Sequence, residues 1–189
     1  MKISTFLFCL LTPVFLIAQS ENDIRSHYNK VNNQIKESIE KGYEGPLYQN
    51  QLIINKSSKS WPAVGYYSDT TDFWYYDTPD HNPERNPKTT LVKVTTSRRI
   101  AADIKTSQEF LYNDGKLVFY YSYWAEENSL YETRVYYNNT IAFKKSVKKN
   151  GIELSAKDLS TKELSDLKPN SSSIISEANK FQELFLKSM

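Results

Sequence analysis

The stretch EFLYNDGKLVFYYSYW, Glu109 to Trp124, decides the fold of this chain. Two β-prone runs flank Asn113-Asp114-Gly115, a pattern typical of a β-hairpin whose glycine takes a positive φ. Along the second run, alternate residues point to opposite faces of the sheet. One face carries Leu117, Phe119, Tyr121 and Tyr123, and the other carries Val118, Tyr120, Ser122 and Trp124. Because both faces are aromatic, either both are partly covered or one is a binding surface.

The sequence around this hairpin predicts more strands of the same sheet. LYETRVYYNNTIAFKKSV, residues 130–147, predicts a second hairpin that turns at Asn138-Asn139, and Asn150-Gly151 is the most favoured two-residue hairpin loop. The turns therefore predict an up-and-down antiparallel meander from Glu109 to about Leu154. Three earlier runs are expected to add strands: Gln51 to Asn55, Val64 to Tyr76 and Leu91 to Ile104.

Before the sheet, apolar residues recur at helical spacing. They form one stripe along a helix predicted at residues 20–42: Ile24, Tyr28, Val31, Ile35 and Ile39. Ser20 with Asp23 three residues later is a start cap, and Gly42 can adopt the left-handed conformation that ends many helices. An amphipathic helix must bury its apolar stripe, so we expect this one to lie on the sheet.

The end of the chain is predicted to hold helices at residues 160–188. Ser160 and Glu163 occupy capping-box positions, and Pro169 ends the first helix. A second helix, Ser173 to Lys187, has an apolar side made of Ile174, Ile175, Ala178, Phe181, Leu184 and Phe185. We expect this helix to pack back on the sheet; the alternatives are a mobile tail or a helix that docks on a partner.

The sequence thus predicts an α+β fold, with the N-terminal helix packed on a curved antiparallel meander of about six or seven strands and with C-terminal helices. Residues 19–189, with the sheet at 48–154, suit a single domain. LYNDGKLVF (111–119) and YYNNTIAF (136–143) resemble each other. Either an internal repeat or ordinary hairpin chemistry accounts for that similarity.

The first residues predict export. Lys2 precedes an apolar run from Ile3 to Ala18, which is the layout of a secretory signal peptide and is too short for a normal transmembrane helix. We expect residues 1–18 to be removed. Cys9 raises the alternative of a lipoprotein anchor, but bulky Leu7 and Phe8 precede it where a lipid-attachment motif has a small residue.

The cysteine and charge content indicate where the protein is located and which partners it is expected to have. Cys9 is the only cysteine, so the exported chain holds together by packing alone, which fits a periplasmic or extracellular protein of a Gram-negative bacterium. The 24 Lys and Arg nearly balance the 22 Asp and Glu, so we expect no nucleic-acid partner. No apolar run after residue 18 could span a bilayer, so we also expect no stable membrane insertion. The lysines between Lys144 and Lys149 are interpreted as charges that block edge-to-edge strand pairing.

The sequence predicts no catalytic residue, no metal site and no cofactor. It contains no Gly-x-Ser-x-Gly and no Gly-x-Gly, and its two histidines, His27 and His81, belong to no zinc motif. His27 flanks the helix stripe as a boundary residue. Asp77 and Asp80 offer oxygen ligands, but the spacing of a calcium loop is absent. A hydrolase that uses a pair of loop carboxylates is kept as an alternative.

The stretch DTTDFWYYDTPDHNPERNP, residues 69–87, is interpreted as a strand that ends at Tyr76 and a loop stiffened by three prolines. Aromatic side chains with polar tips suit contacts with proteins or sugars. The predicted contact surface comprises Trp74, Tyr76, Asp77, Asp80, His81, Arg85, Trp61 and Trp124. We expect a protein-binding module, of inhibitor or immunity type by analogy, and glycan binding through exposed aromatics is the alternative.

Three segments also resemble a known group of proteins. The helix IRSHYNKVNNQI (24–35), the hairpin at 109–124 and the strand pair YETRVYYNNTIAF (131–143) look like uncharacterised secreted proteins and lipoproteins of Bacteroidetes. Those proteins carry an aromatic FLYD-x-G-x-L-x-F hairpin followed by an RxYF strand. The resemblance implies an exported location and this kind of fold. It implies no particular activity. The chain departs from it at Thr140, where glycine or lysine usually follows the turn.

We expect the exported protein to begin at Gln19. Intact-mass analysis of protein recovered from the envelope or medium of an expressing Gram-negative host measures this directly, and Cys9→Ser should leave the mature mass unchanged. A lipid-modified mass that disappears in Cys9→Ser would instead establish a lipoprotein.

Overall fold

The computed structural model describes residues 20–63, 65–78, 88–101, 104–126, 128–162 and 164–189. Two α-helices enclose the strands in chain order: α1 (Glu21–Lys41) and α2 (Ser171–Ser188). The strands are β1 (Tyr48–Ile54), β2 (Tyr67–Thr78), β3 (Lys88–Ile100), β4 (Ile104–Asn113), β5 (Lys116–Glu126), β6 (Ser129–Asn138), β7 (Ile141–Lys149) and β8 (Ile152–Glu153). They form one antiparallel sheet in the order β1 to β8. The α+β meander is confirmed, but it has eight strands instead of six or seven, because each β-prone run, including the short one after Asn150-Gly151, forms a separate strand.

Two rows of side chains cross the middle of the sheet, one on each face. On one face the register joins Trp74, Lys93, Leu111, Phe119, Tyr136 and Lys144. On the other face it joins Phe73, Val94, Phe110, Tyr120, Val135 and Lys145. The apolar stripe of α1 packs on the first row, and that of α2 packs on the second. Both aromatic faces are therefore covered at this level of the sheet.

Three β-bulges lie beside these rows. β3, β5 and β7 each insert one residue that has no partner in the register: Val92, Val118 and Phe143. Bulges bend a strand and increase its twist. The triplets opposite them, 73–75, 110–112 and 135–137, are all buried. The similar segments 111–119 and 136–143 hold the same place in successive hairpins, and the β2–β3 hairpin repeats that geometry a third time.

Helix α1 begins as predicted, but the last residue of its predicted apolar stripe is exposed. The Ser20 side chain accepts from the Asp23 backbone N–H at 3.2 Å, and the Asp23 carboxylate accepts from the Ser20 backbone N–H at 3.0 Å. Ile39, predicted on the stripe, is 68% exposed, and Ser38 is buried instead. The chain returns tightly past Ser38, whose hydroxyl accepts from the Leu47 backbone N–H. A Cβ on Gly45 would lie 2.3 Å from the Ser38 Cα, so only glycine fits there.

Two of the predicted hairpin turns are confirmed and one is shifted. Asp114-Gly115 and Asn150-Gly151 both have positive φ, as a type I′ turn requires. The turn predicted at Asn138-Asn139 lies instead at Asn139-Thr140, because Asn138 pairs with Ile141 and leaves only two residues in the loop. Thr140 consequently has φ 71°, which is unfavourable for a β-branched residue.

The predicted helix after Ser160 is absent from the described residues. Asp158–Ser160 and Ser165–Leu167 are single 3₁₀ turns, and Ser155 with Asp158 forms the reciprocal cap that was predicted at Ser160 and Glu163. So short a segment cannot recover the cost of helix nucleation without an apolar face to bury. Glu163 itself lies outside the described residues.

Helix α2 packs back on the sheet as predicted. It begins at Ser171, earlier than the predicted Ser173, because the Asn170 side chain accepts from the backbone N–H groups of the first turn. Ile174, Ala178 and Phe185 are buried against the sheet, whereas Leu184 is 38% exposed.

Thr140→Gly is expected to raise the free energy of unfolding by about 1 kcal/mol, because glycine lacks the Cβ repulsion of the left-handed region and loses only part of that gain to unfolded-state entropy. Urea denaturation monitored by circular dichroism measures the shift.

The reciprocal variant is Gly115→Thr in the preceding hairpin, which should lower the free energy of unfolding by a similar amount. A Cβ added at Gly115 meets nothing within 4 Å, so the backbone conformation alone opposes it. A Thr140→Gly midpoint equal to or below that of the wild type would contradict strain at this turn.

Candidate functional site

The predicted contact residues that the structure describes do not share one surface. Trp74 is 5% exposed and lies beneath α1. Tyr76 is half-buried on the same face and donates to the Gln34 side chain at 2.6 Å. Strand alternation places Asp77 on the opposite face. Asp80, His81 and Arg85 lie outside the described residues.

The other two tryptophans lie apart from Trp74 and from each other. Trp61 is exposed in a turn that bridges to Gly65, with its ring 4.9 Å from that of Tyr67. Trp124 is half-buried on the α2 face and stacks on Tyr131 at 5.2 Å. The tryptophans and tyrosines therefore do not form one continuous exposed row.

A different site lies between the first turns of α1 and strands β5–β8. Two adjoining cavities of about 370 and 480 Å³ share Arg25, Arg134 and Tyr136, and together we name them the α1 cleft. Its further lining residues are Ile24, Tyr28, Asn29, Phe119, Tyr121, Lys144, Ser146, Lys148 and Glu153. Volumes of this size are typical of ligand-binding clefts.

Aromatic rings form the floor of the α1 cleft. The Phe119 ring lies 4.9 Å from Tyr136 and 5.4 Å from Tyr28, and the latter pair is edge-to-face. Phe119 and Tyr136 belong to the buried row described above, so their rings are held by the core. The floor is rigid because the same side chains also carry the packing of α1.

Cations surround this floor and are held by carboxylates at its edge. Glu21 accepts from Arg25 and from Lys144, each at 2.7 Å. Both cations also lie over the Tyr136 ring, 5.6 and 5.9 Å from its centroid. Hydrogen bonds from Lys144 and then Arg25 lower the pKa of Glu21, so this carboxylate stays ionised and fixes both cations.

Arg134 is held in the same way on the other side of the cleft. Its guanidinium donates to Glu132 at 2.9 Å and lies 5.2 Å from the centre of the Tyr121 ring. The Tyr121 hydroxyl donates to the same carboxylate at 2.9 Å. Burial, followed by the bond to Glu132, raises the pKa of Tyr121, so it is a neutral donor at physiological pH. Each of these cations keeps further N–H groups that its carboxylate does not occupy.

A buried polar cluster lies behind Tyr28, at the inner end of the cleft. The Lys93 ammonium, on a side chain only 3% exposed, lies 2.7 Å from the Glu109 carboxylate. It also donates to Asn32 at 2.6 Å and lies 4.6 Å from the centre of the Tyr28 ring. The Tyr28 hydroxyl donates to Glu109 at 2.8 Å, and burial raises the pKa of Tyr28 to about 12. The cluster fixes α1, and with it the wall of the cleft, over β3 and β4.

A second groove, of about 290 Å³, lies on the α2 face beside Trp124 and Tyr131. Its polar lining includes Asp166, Asn170 and Glu177. Burial raises the pKa of Glu177. Among the predicted contact residues that the structure describes, Trp124 alone lines either of these two sites.

Sequence reasoning missed the α1 cleft for an identifiable reason. Arg25 follows Ile24 on the helix, Arg134 precedes the core residue Val135, and Lys144 lies between exposed residues of β7, so each has the pattern of an ordinary surface charge. Only strand register and helix placement bring the three together. His27, predicted to be a boundary residue, donates from Nε2 to the Tyr112 carbonyl at 2.9 Å and takes no part in the cleft.

Within the described ranges, no helix is long and apolar enough to cross a membrane. The same residues include no group of three or more His, Cys, Asp or Glu side chains that could hold a metal ion. No protein-family model, curated protein or solved structure matches the chain.

Glu109→Leu is expected to destabilise the protein far more than Lys93→Met. The first change leaves an ammonium on a side chain only 3% exposed without its counter-charge, at a cost of about 3–5 kcal/mol. The second leaves the Glu109 carboxylate, which is 22% exposed and keeps the hydrogen bond from the Tyr28 hydroxyl, so it should cost less. Urea unfolding at neutral pH measures both, and the double variant should resemble Lys93→Met.

The pH dependence of the free energy of unfolding provides the control for these two variants. Burial lowers the pKa of Lys93 below its ordinary value of 10.5. Between the lowered pKa and that ordinary value the unfolded chain binds more protons than the folded chain, so stability rises with pH. Glu109→Leu should therefore regain stability as the pH rises toward 10.5, and Lys93→Met should show no such rise. Equal losses at pH 7 with parallel pH profiles would contradict this account.

Proposed function

We propose that the protein is an exported, non-enzymatic binding module, and that the α1 cleft receives an acidic segment of a protein partner. The observation that carries this proposal is the Tyr136 ring with Arg25 and Lys144 over it and Arg134 close by. Carboxylates recognised by arginine form short, charge-assisted and often bidentate hydrogen bonds. The buried Tyr136 ring beneath Arg25 and Lys144 helps to hold both cations in position for the ligand.

The balance of charges in the cleft supports an acidic ligand. Its outer cavity is lined by four cations and one carboxylate, Glu153. Glu21 and Glu132 hold cations from the edge, so those cations are positioned before a ligand arrives, which lowers the ordering cost of binding. Aromatic residues and arginine are the types enriched where protein interfaces gain most of their affinity.

A protein partner explains this mixture better than a glycan does. Sugar-binding surfaces present aromatic rings to the ligand, whereas here the rings of Tyr121 and Tyr136 have cations over them. A module that covers a partner's surface without doing chemistry acts as an inhibitor or an immunity protein, and we favour that class by analogy. The export signal and the resemblance to secreted Bacteroidetes proteins support a periplasmic or extracellular setting.

A glycan is the second candidate ligand, and the groove beside Trp124 favours it. Trp124 and Tyr131 supply aromatic surface there, and Asp166, Asn170 and Glu177 supply the hydrogen-bonding groups that sugar hydroxyls need. This groove lies on the opposite face of the sheet from the α1 cleft, so the two proposals can be tested separately.

Two double variants on β7 test the proposed function. Lys144→Gln with Lys148→Gln removes two charges from the cleft. Lys145→Gln with Lys149→Gln removes two charges from the other face of the same strand, where Lys145 lies against the Pro169 carbonyl and Lys149 lies over Tyr131. Affinity capture from envelope extract should recover a protein that the wild type and the second variant bind, and that the first variant binds at least about tenfold more weakly, a loss of about 1.4 kcal/mol.

Capture that is the same for all three proteins, or that recovers no protein reproducibly, would refute the cleft as a partner site. Raised salt should weaken the specific capture, because the interaction is between exposed charges. Polysaccharide recovered by all three β7 proteins and lost in Trp124→Ala would transfer the proposal to the glycan groove.

A further inference from the structure

We infer that β1 pairs edge to edge with β1 of a second copy of this chain, so that two sheets become one continuous sheet. β1 ends the strand order, and among the described residues no strand lies beyond it. A strand at the end of a sheet presents backbone N–H and C=O groups that have no ladder partner. The inference is independent of the proposed function.

The sequence of β1 does nothing to prevent such pairing. Its seven residues, YQNQLII, include no charged residue and no proline. Its apolar side chains are open to solvent: Tyr48 is 47% exposed, Leu52 40%, Ile53 36% and Ile54 42%. An edge strand that is long, uncharged and apolar is a site of strand association.

The opposite edge of the same sheet is protected. β8 has two residues, and β7 behind it carries Lys144, Lys145, Lys148 and Lys149. Short edge strands and lysines are the usual means by which proteins prevent edge-to-edge pairing. The contrast indicates that the β7–β8 edge is protected against strand pairing, whereas the β1 edge can pair with another strand.

A second copy fits β1 because the strand is complementary to itself. A two-fold axis at Gln51 pairs Tyr48 with Ile54 of the second copy and Asn50 with Leu52 of the second copy, in an antiparallel ladder that uses all seven residues. Closed dimers of this two-fold kind are the commonest homo-oligomers. Since β1 has no charge, no like charges meet across the ladder.

Contacts within the chain position β1 for pairing with a second copy. Tyr48 stacks on Tyr75 at 5.7 Å, and the Asn50 amide donates to the Ser188 hydroxyl at the end of α2. On the other face, Gln49 and Gln51 both donate to Asp72. These contacts fix β1 to its own sheet without using its free edge.

The dimer would place the two α1 clefts far apart. Each cleft lies at β5–β8 and the shared ladder lies at β1, so one cleft falls at each end of the joined sheet. Two linked sites raise the effective affinity for a partner that repeats the recognised segment.

Cysteine crosslinking tests the pairing and its register. The protein without its predicted signal peptide has no cysteine, because Cys9 is the only one. In Gln51→Cys the two thiols face each other across the axis, and a short bismaleimide should join most of the protein into dimers. In Ile54→Cys, a control at another exposed position of β1, the thiols are about 20 Å apart, at roughly 3.3 Å per residue, and few dimers should form.

Charge exchange tests whether the same surface holds the dimer in solution. Leu52→Lys and Leu52→Glu should each halve the mass measured by light scattering, because like charges come together diagonally across the ladder. Mixing the two variants should restore the dimer mass, and circular dichroism checks that each is folded. A wild-type protein that has the mass of one chain at high concentration, or crosslinking that is equal in Gln51→Cys and Ile54→Cys, would overturn the inference.

Discussion

The rest of the structure depends on the burial of both faces of the sheet at one level. Three triplets, at 73–75, 110–112 and 135–137, place nine buried side chains on alternating sides of adjacent hairpins. A sheet with large apolar groups on both faces is stable only when each face is covered, and a meander of short turns provides no cover of its own. The chain meets this requirement with one helix before the sheet and one after it. Loss of either helix would expose half of the aromatic core, so the helices and the sheet stabilise each other.

The α1 cleft lies where α1 stops covering its face of the sheet, at the first turn of the helix. The row beneath α1 runs from Trp74 on β2 to Lys144 on β7, and the helix begins where Glu21 meets Lys144. Two lysines occupy equivalent positions in that row. Lys93 is under the helix and requires Glu109 beside it, whereas Lys144 is at the margin and faces solvent. The same register position thus supplies a buried structural cation in one hairpin and a cation available to a ligand in another. Helix coverage decides which role each lysine has.

The two edges of the sheet differ for a related reason. The β7–β8 edge adjoins the α1 cleft. Its lysines protect this edge against pairing with other strands, and two of them, Lys144 and Lys148, line the cleft. The β1 edge has no charged residue, and no strand within the described residues covers it. A protein with one protected edge and one open edge can associate in a single defined way, which is the condition for a closed dimer in place of an open-ended aggregate.

The sequence alone determined what depends on neighbours along the chain. The Ser20 cap, the Asp114-Gly115 and Asn150-Gly151 turns, the antiparallel meander and the apolar side of α2 all follow from spacings of two to four residues. The bulges at Val92, Val118 and Phe143 did not follow, and neither did the exposure of Ile39 or the burial of Lys93. Each of these depends on which distant residue lies opposite, and a shift of one residue in register moves a side chain to the other face. The α1 cleft is of this second kind, since Arg25, Arg134 and Lys144 meet only when the helix crosses a sheet whose register the bulges have set.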